Sequence, residues 1–258
     1  MGWYHLECLA TAAKTSELTW RMYQNCSTCN QGWSGQVCRG MAEAAHANFA
    51  GPVETEMQVQ AGLMLSQAMF SDGDFVEASE CCAEALNVSM RVHGDAQAAD
   101  KTQIHPDTIE AMAIAGMIHS KIHSFDIALQ MQYGVLNTCR RVNGNEDEAT
   151  MRAMENLGST HGRMENHHLA LPLLQEASDI SRRVRGDECL PTLSAMGNLG
   201  SSLHAMGDKA AIPLREKVVA ISRRLLGNRH PATLTHVANL AITRSESGDH
   251  SNAFPLFD

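Results

Sequence analysis

Aromatic side chains are scarce in this chain: 3 Trp, 3 Tyr and 6 Phe make up 5 % of its 258 residues. Large rings dominate the cores of most domains, so an interior with few of them has to be closed by small side chains at short range. Apolar content is ordinary at 44 %, with Ala and Met plentiful, which is the composition of close-packed helices. Basic residues also fall short, 20 Lys and Arg against 29 Asp and Glu. The resulting charge of −9 excludes a broad phosphate-binding surface. No window approaches the ~18 uninterrupted apolar residues of a membrane span, and the N-terminus lacks a basic-then-apolar leader. Catalytic signatures are missing as well: there is no H-E-x-x-H, no Walker loop and no dinucleotide loop. Gly32-Trp33-Ser34-Gly35 has no strand before it and no matched His and Asp, so it is not a nucleophile elbow. No active site is expected.

Cysteine is unevenly placed rather than rare. Cys8, Cys26, Cys29 and Cys38 crowd the first forty positions, while Cys81, Cys82, Cys139 and Cys189 are scattered through helical segments. A disulfide framework belongs to smaller, loop-rich secreted chains. A reducing, cytoplasmic setting is expected, with Cys81 and Cys82 as small buried thiols.

What the chain does have is a repeat of 42 residues. Thr108, Thr150, Thr192 and Thr233 are spaced 42, 42 and 41 apart, and Ala128, Ala170, Ala211 and Ala253 keep the same beat, as do Gly144, Gly186 and Gly227. A period of this length means stacked units that cannot bury their apolar faces alone. Each unit reads as two helices. Pro191 opens a first helix on which Leu193, Met196, Leu199, Gly200 and Leu203 recur at helical spacing, Gly207-Asp208 breaks it, and a second helix runs to Leu226 with Gly227 as a left-handed C-cap. The pairs Arg140-Arg141, Arg182-Arg183 and Arg223-Arg224 complement the dipoles of such helices. An earlier divergent unit shares Ala78, Ala85 and Gly94 with Ala170, Ala177 and Gly186 at an offset of 92. An eight-residue insertion around 96–103 separates it from the regular array. Units are expected at about 54–94, 105–144, 147–186, 189–227 and 230–258, the last incomplete, after a linker helix at 37–53. The sequence reads as cut short at Asp258.

Ala170, Leu174 and Ala177 in the second helix, with Met154, Gly158 and His161 in the first, resemble the tetratricopeptide repeat. The 42-residue period and the wording of Arg223–Ala253 resemble its kinesin light chain subtype. The resemblance implies an all-α fold, a right-handed α-α superhelical solenoid of helical hairpins. It also implies a concave face lined by first helices.

Near the N-terminus, His5-x2-Cys8 and Cys26-x2-Cys29 have zinc-ligand types and spacing. With the surrounding tryptophans they resemble the second half of a RING-variant (RING-CH-like) finger, placing a partial zinc-finger-like segment at 1–36. In that family His5 and Cys8 would serve one ion and Cys26 and Cys29 another, with four further ligands upstream of Met1. Three arrangements stay open: an interrupted finger, a metal-free remnant, or one site of all four. Zinc is therefore a cofactor expected of a longer protein rather than of this chain.

His119 and His123, at i and i+4, could suggest a metal pair, but His119 shares a packing register with His161. Asn156, Asn198 and Asn239 occupy one register of the first helix, where an amide could pair with an extended peptide backbone. Arg152 and Arg163 lie nearby in register. These five are the expected peptide-binding residues. The expected function is a protein-interaction scaffold for a peptide or partner protein, without chemistry of its own and without nucleic acid or membrane partners. The alternative is the substrate-selecting part of a RING-variant ubiquitin ligase, which would engage an E2 enzyme. A true kinesin light chain is disfavoured, because no heptad coiled coil precedes the repeats.

Overall fold

The computed structural model describes residues 35–51, 53–94 and 104–253. The finger-like positions His5, Cys8, Cys26 and Cys29 lie outside them. Among the described residues there are eleven helices and no strand. In chain order they are α1 (Gly35–Phe49), α2 (Glu56–Asp72), α3 (Phe75–His93), α4 (Pro106–Lys121), α5 (Phe125–Asn143) and α6 (Glu148–Arg163). Then follow α7 (His167–Arg185), α8 (Leu190–Ala205), α9 (Ala211–Leu226), α10 (Pro231–Glu246) and α11 (His250–Ala253). Two compact units divide at Met131/Gln132, within α5.

In the first unit α2 and α3 form a hairpin, α1 packs on α2, and α4 packs against both α2 and α3. In the second, α6/α7, α8/α9 and α10/α11 are successive hairpins, and the first helices α6, α8 and α10 touch in sequence.

The hairpin turns share one device. Gly73, His123, Glu165, Gly207 and Gly248 occupy one register and all have positive φ, between 61° and 92°. The next residue's N–H returns to a carbonyl five residues back: Ser124 to His119, Asn166 to His161, Asp208 to Leu203 and Asp249 to Arg244, each at 2.9 Å. This is the Schellman closure of a helix end. The left-handed cap expected at Gly227 is therefore found elsewhere. Gly227 has φ 83° with ψ 164°, and Gly186 φ 79° with ψ 170°, a mirror-extended conformation that lets the chain straighten toward the next hairpin.

Small residues close the hairpins, as the shortage of aromatics requires. Ala128, Ala170, Ala211 and Ala253 are all at most 2 % exposed. Gly158 lets α7 approach α6 so closely that a Cβ there would fall 2.7 Å from Leu174 Cγ. At three of the four threonines of the beat the hydroxyl bonds between hairpins. Thr192 Oγ1 lies 2.8 Å from Ser181 Oγ, Thr233 donates to the Ser222 carbonyl at 3.3 Å, and in the first unit Thr108 Oγ1 lies 2.7 Å from Ser89 Oγ. The Ser89–Thr108 pair spans 19 residues where Ser181–Thr192 spans 11. The eight extra residues are accommodated without disturbing the joint.

The arginines near helix ends do more than face a dipole. Arg91, Arg183 and Arg224 reach Glu54, Glu146 and Glu188, one register in three units, at 2.5 to 2.6 Å. These pairs are exposed, so solvent screens them and each adds little to stability. His161 is buried, its Nε2 2.9 Å from the Tyr133 hydroxyl, which agrees with a packing role for that register. Cys82 is buried among apolar groups that push its thiol up to about 12, and Cys81 donates to the Gly62 carbonyl at 3.4 Å. Cys82 is a small buried core residue as expected, whereas Cys81 is only partly buried.

Candidate functional site

Because α6, α8 and α10 lie side by side, equivalent positions on them form rows. Asn156, Asn198 and Asn239 make such a row, each partly buried. Their surroundings differ. Asn198 donates from Nδ2 to Glu155 Oε2 at 3.3 Å, so its amide is engaged rather than free as the sequence reading expected. The reason is local: positions equivalent to Glu155 are Gly197 and Ala238, and only the first of these rows supplies a carboxylate beside the amide. Burial pushes the Glu155 carboxyl up to about 7, although Asn198, Arg185 and Arg152 all act to hold it down.

A cavity of about 240 Å³ opens beside Asn198. Helix α6 lines it with Gly158, Ser159, Gly162 and Arg163, α7 with His167 and Leu174, and α8 with Asn198, Ser201 and Ser202. It is a recess whose exposed surface is mostly apolar with polar groups around it, and it is open at Gly162, where a Cβ would meet nothing within 4 Å. Ser202 Oγ and His167 Nδ1 are buried without a hydrogen-bond partner at its margin.

Of the five expected peptide-binding residues, Asn198 and Arg163 share this cavity. Arg152 is exposed on α6 and lies outside it, as does Asn156. Asn239 lines a small separate cavity with Gly197, Arg215, Val218 and His236. There the buried Arg215 guanidinium donates to the Asn239 carbonyl and, at 2.7 Å, to Thr243 Oγ1, and also reaches Ser201 Oγ at 3.1 Å. Glu155, His167, Ser201 and Ser202 were not singled out from the sequence. Only Glu155 carried a signal, as a charge in a register that otherwise holds Gly or Ala.

A family model of the tetratricopeptide repeat matches residues 107–183, 150–211 and 191–258, overlapping stretches that cover more than half of the chain. The chain belongs to the tetratricopeptide repeat family. No curated protein matches it. Solved structures share the fold at low identity. The kinesin-light-chain-type "nearly identical TPR-like repeats" of Podosopora anserina align with a TM-score of 0.64 at 18 % identity, covering 80 % of this chain and 94 % of that one. BtubC (BKLC) of P. vanneervenii aligns at 0.62 and 20 % identity, covering 85 % and 84 %. A Rap protein solved in complex with competence and sporulation factor aligns at 0.68 and 14 % identity, covering 85 % of this chain and 56 % of that chain. Among the described residues no helix is long and apolar enough to cross a membrane.

Proposed function

We propose that this tetratricopeptide repeat chain is a protein-interaction scaffold that holds an extended peptide along the first-helix row of α6, α8 and α10. The carrying observation is the cavity beside Asn198, where an amide, an arginine and three serines surround a recess open at Gly162. Such a recess sets a few donors and acceptors where a peptide backbone could pair and leaves apolar room beside Leu174 for a small side chain. Asn198 keeps its amide oxygen and one N–H for a ligand while the other N–H holds Glu155. The complex of the similarly folded Rap protein supports this class of reading. On this reading the chain acts by binding in the cytoplasm and carries out no reaction itself.

Gly162→Leu tests it. A Cβ at Gly162 meets nothing within 4 Å, and leucine is a better helix former than glycine in this last turn of α6, so loss of binding cannot be blamed on unfolding. A random linear peptide library is panned on the chain, and the selected peptides are titrated against both forms by fluorescence anisotropy. The expected result is at least tenfold weaker binding to Gly162→Leu. Equal affinity for both forms, or a library that yields no binder, would overturn the assignment.

A further inference from the structure

We propose that Glu56, His93 and His105, with Asp107, form a binding site for one divalent cation of the zinc type. Ligand atoms of Glu56, His93 and His105 lie within 4.8 Å of one another. His93 Nε2 and His105 Nδ1 stand 3.7 and 3.8 Å from the same Asp107 Oδ2. These separations are too long for hydrogen bonds and only a little longer than the edge of about 3.4 Å in a tetrahedron with zinc-length bonds of ~2.0–2.1 Å. The His93 side chain is 9 % exposed, yet its Nε2 has no hydrogen-bond partner. The two imidazole rings stack 3.5 Å apart and 7° from parallel. His105 Nδ1 accepts the Asp107 N–H at 3.3 Å as a helix cap, so the unpartnered ring nitrogen of the pair is His93 Nε2.

A second, independent observation comes from the repeat. At an offset of 92 residues, Glu56 corresponds to Glu148 and His93 to Arg185, and in the second unit these form an ion pair at 3.3 Å. In the first unit the arginine has become an imidazole. The carboxylate has lost its cation, and a second imidazole and a second carboxylate have gathered beside it. Imidazole with carboxylate is a donor set for zinc and its first-row neighbours, whereas calcium and magnesium prefer oxygen alone. A bound ion would tie together the start of α2, the end of α3 and the start of α4, across the connection that carries the eight extra residues.

The test uses the full chain with His5→Ala, Cys8→Ser, Cys26→Ser and Cys29→Ser, which removes the other candidate ligands. Zinc is titrated in competition with a chromogenic chelator, and cobalt(II) is used as a spectroscopic substitute. The expected result is one equivalent of zinc and a cobalt spectrum without thiolate charge-transfer absorption. His93→Gln and His105→Asn should each weaken zinc at least tenfold. Asparagine retains a helix cap at 105, and Glu56→Gln, at an exposed position, should weaken zinc several-fold with an unchanged circular dichroism spectrum. No zinc retained by the stripped chain, or binding unaffected by His93→Gln and Glu56→Gln, would overturn the proposal.

Discussion

Two joints in the second unit share a register but not a chemistry. Where α7 gives way to α8, Ser181 and Thr192 join their hydroxyls at 2.8 Å. Where α5 gives way to α6, Cys139 and Thr150 hold the same places, and the fully buried Thr150 Oγ1 has no partner. A thiol fills the volume of a serine but is a poor hydrogen-bonding group. Packing of small residues therefore sets the register, and the hydroxyl pair is a separate stabilising layer that a unit can lose while keeping its place.

The sharpest way to break that comparison is to remove the threonine hydroxyl at each joint. Thr192→Val strands the Ser181 hydroxyl in the core and should lower stability by ~1–3 kcal/mol in urea denaturation. Thr150→Val removes a group that is already unpaired and should leave stability unchanged or raise it. Equal losses at both joints would mean that the hydroxyl pair adds nothing beyond packing. Repair runs the other way: Cys139→Ser should recreate the pair and raise stability by ~0.5–1.5 kcal/mol, read as a shift of the urea midpoint without a change in slope.

The hairpin turns offer a weaker contrast of the same kind. Glu165 holds a left-handed conformation where Gly207 and Gly248 serve the following hairpins. Glu165→Gly relieves that strain and should gain about 0.5–1 kcal/mol, partly offset by a more flexible unfolded chain. Gly207→Glu should lose a comparable amount, and a gain there would refute the strain argument. The smallest effect is expected from deleting residues 96–103, which restores the regular spacing of 11 between Ser89 and Thr108. Loop-closure entropy changes only as the logarithm of length, so a thermal melt should show a gain of about 0.5 kcal/mol.

The 42-residue beat made the hairpins legible because each recurrent residue has one steric task. Ala170 and Ala211 must be small where helices cross, and Thr192 must be small and able to donate. The turns were less legible, since nothing in the residue types of His123 or Glu165 announces a left-handed backbone. Within the candidate site, Asn198 and Arg163 were readable as a row on first helices. Glu155 was not, because its effect depends on how deeply α6 and α8 bury it together. His93 ends α3 and His105 caps α4 twelve positions later, a spacing no local pattern reports. The readings of His5, Cys8, Cys26 and Cys29 fall outside the described residues.

Burial, working against the bond from Asn198, makes Glu155 a proton-exchanging group beside the proposed groove. A carboxyl that titrates at about 7 when folded and near 4.5 when unfolded stabilises the fold fully below about pH 4.5, and that contribution fades as pH rises through 7. A ligand that brings a positive charge beside it drives the proton off, and one that brings a carboxylate draws a proton in. Calorimetric titrations of one peptide in buffers of different ionisation enthalpy would count those protons, and Glu155→Gln should bring the count to zero. Acidic and basic ligands would then respond to pH in opposite senses in the same groove.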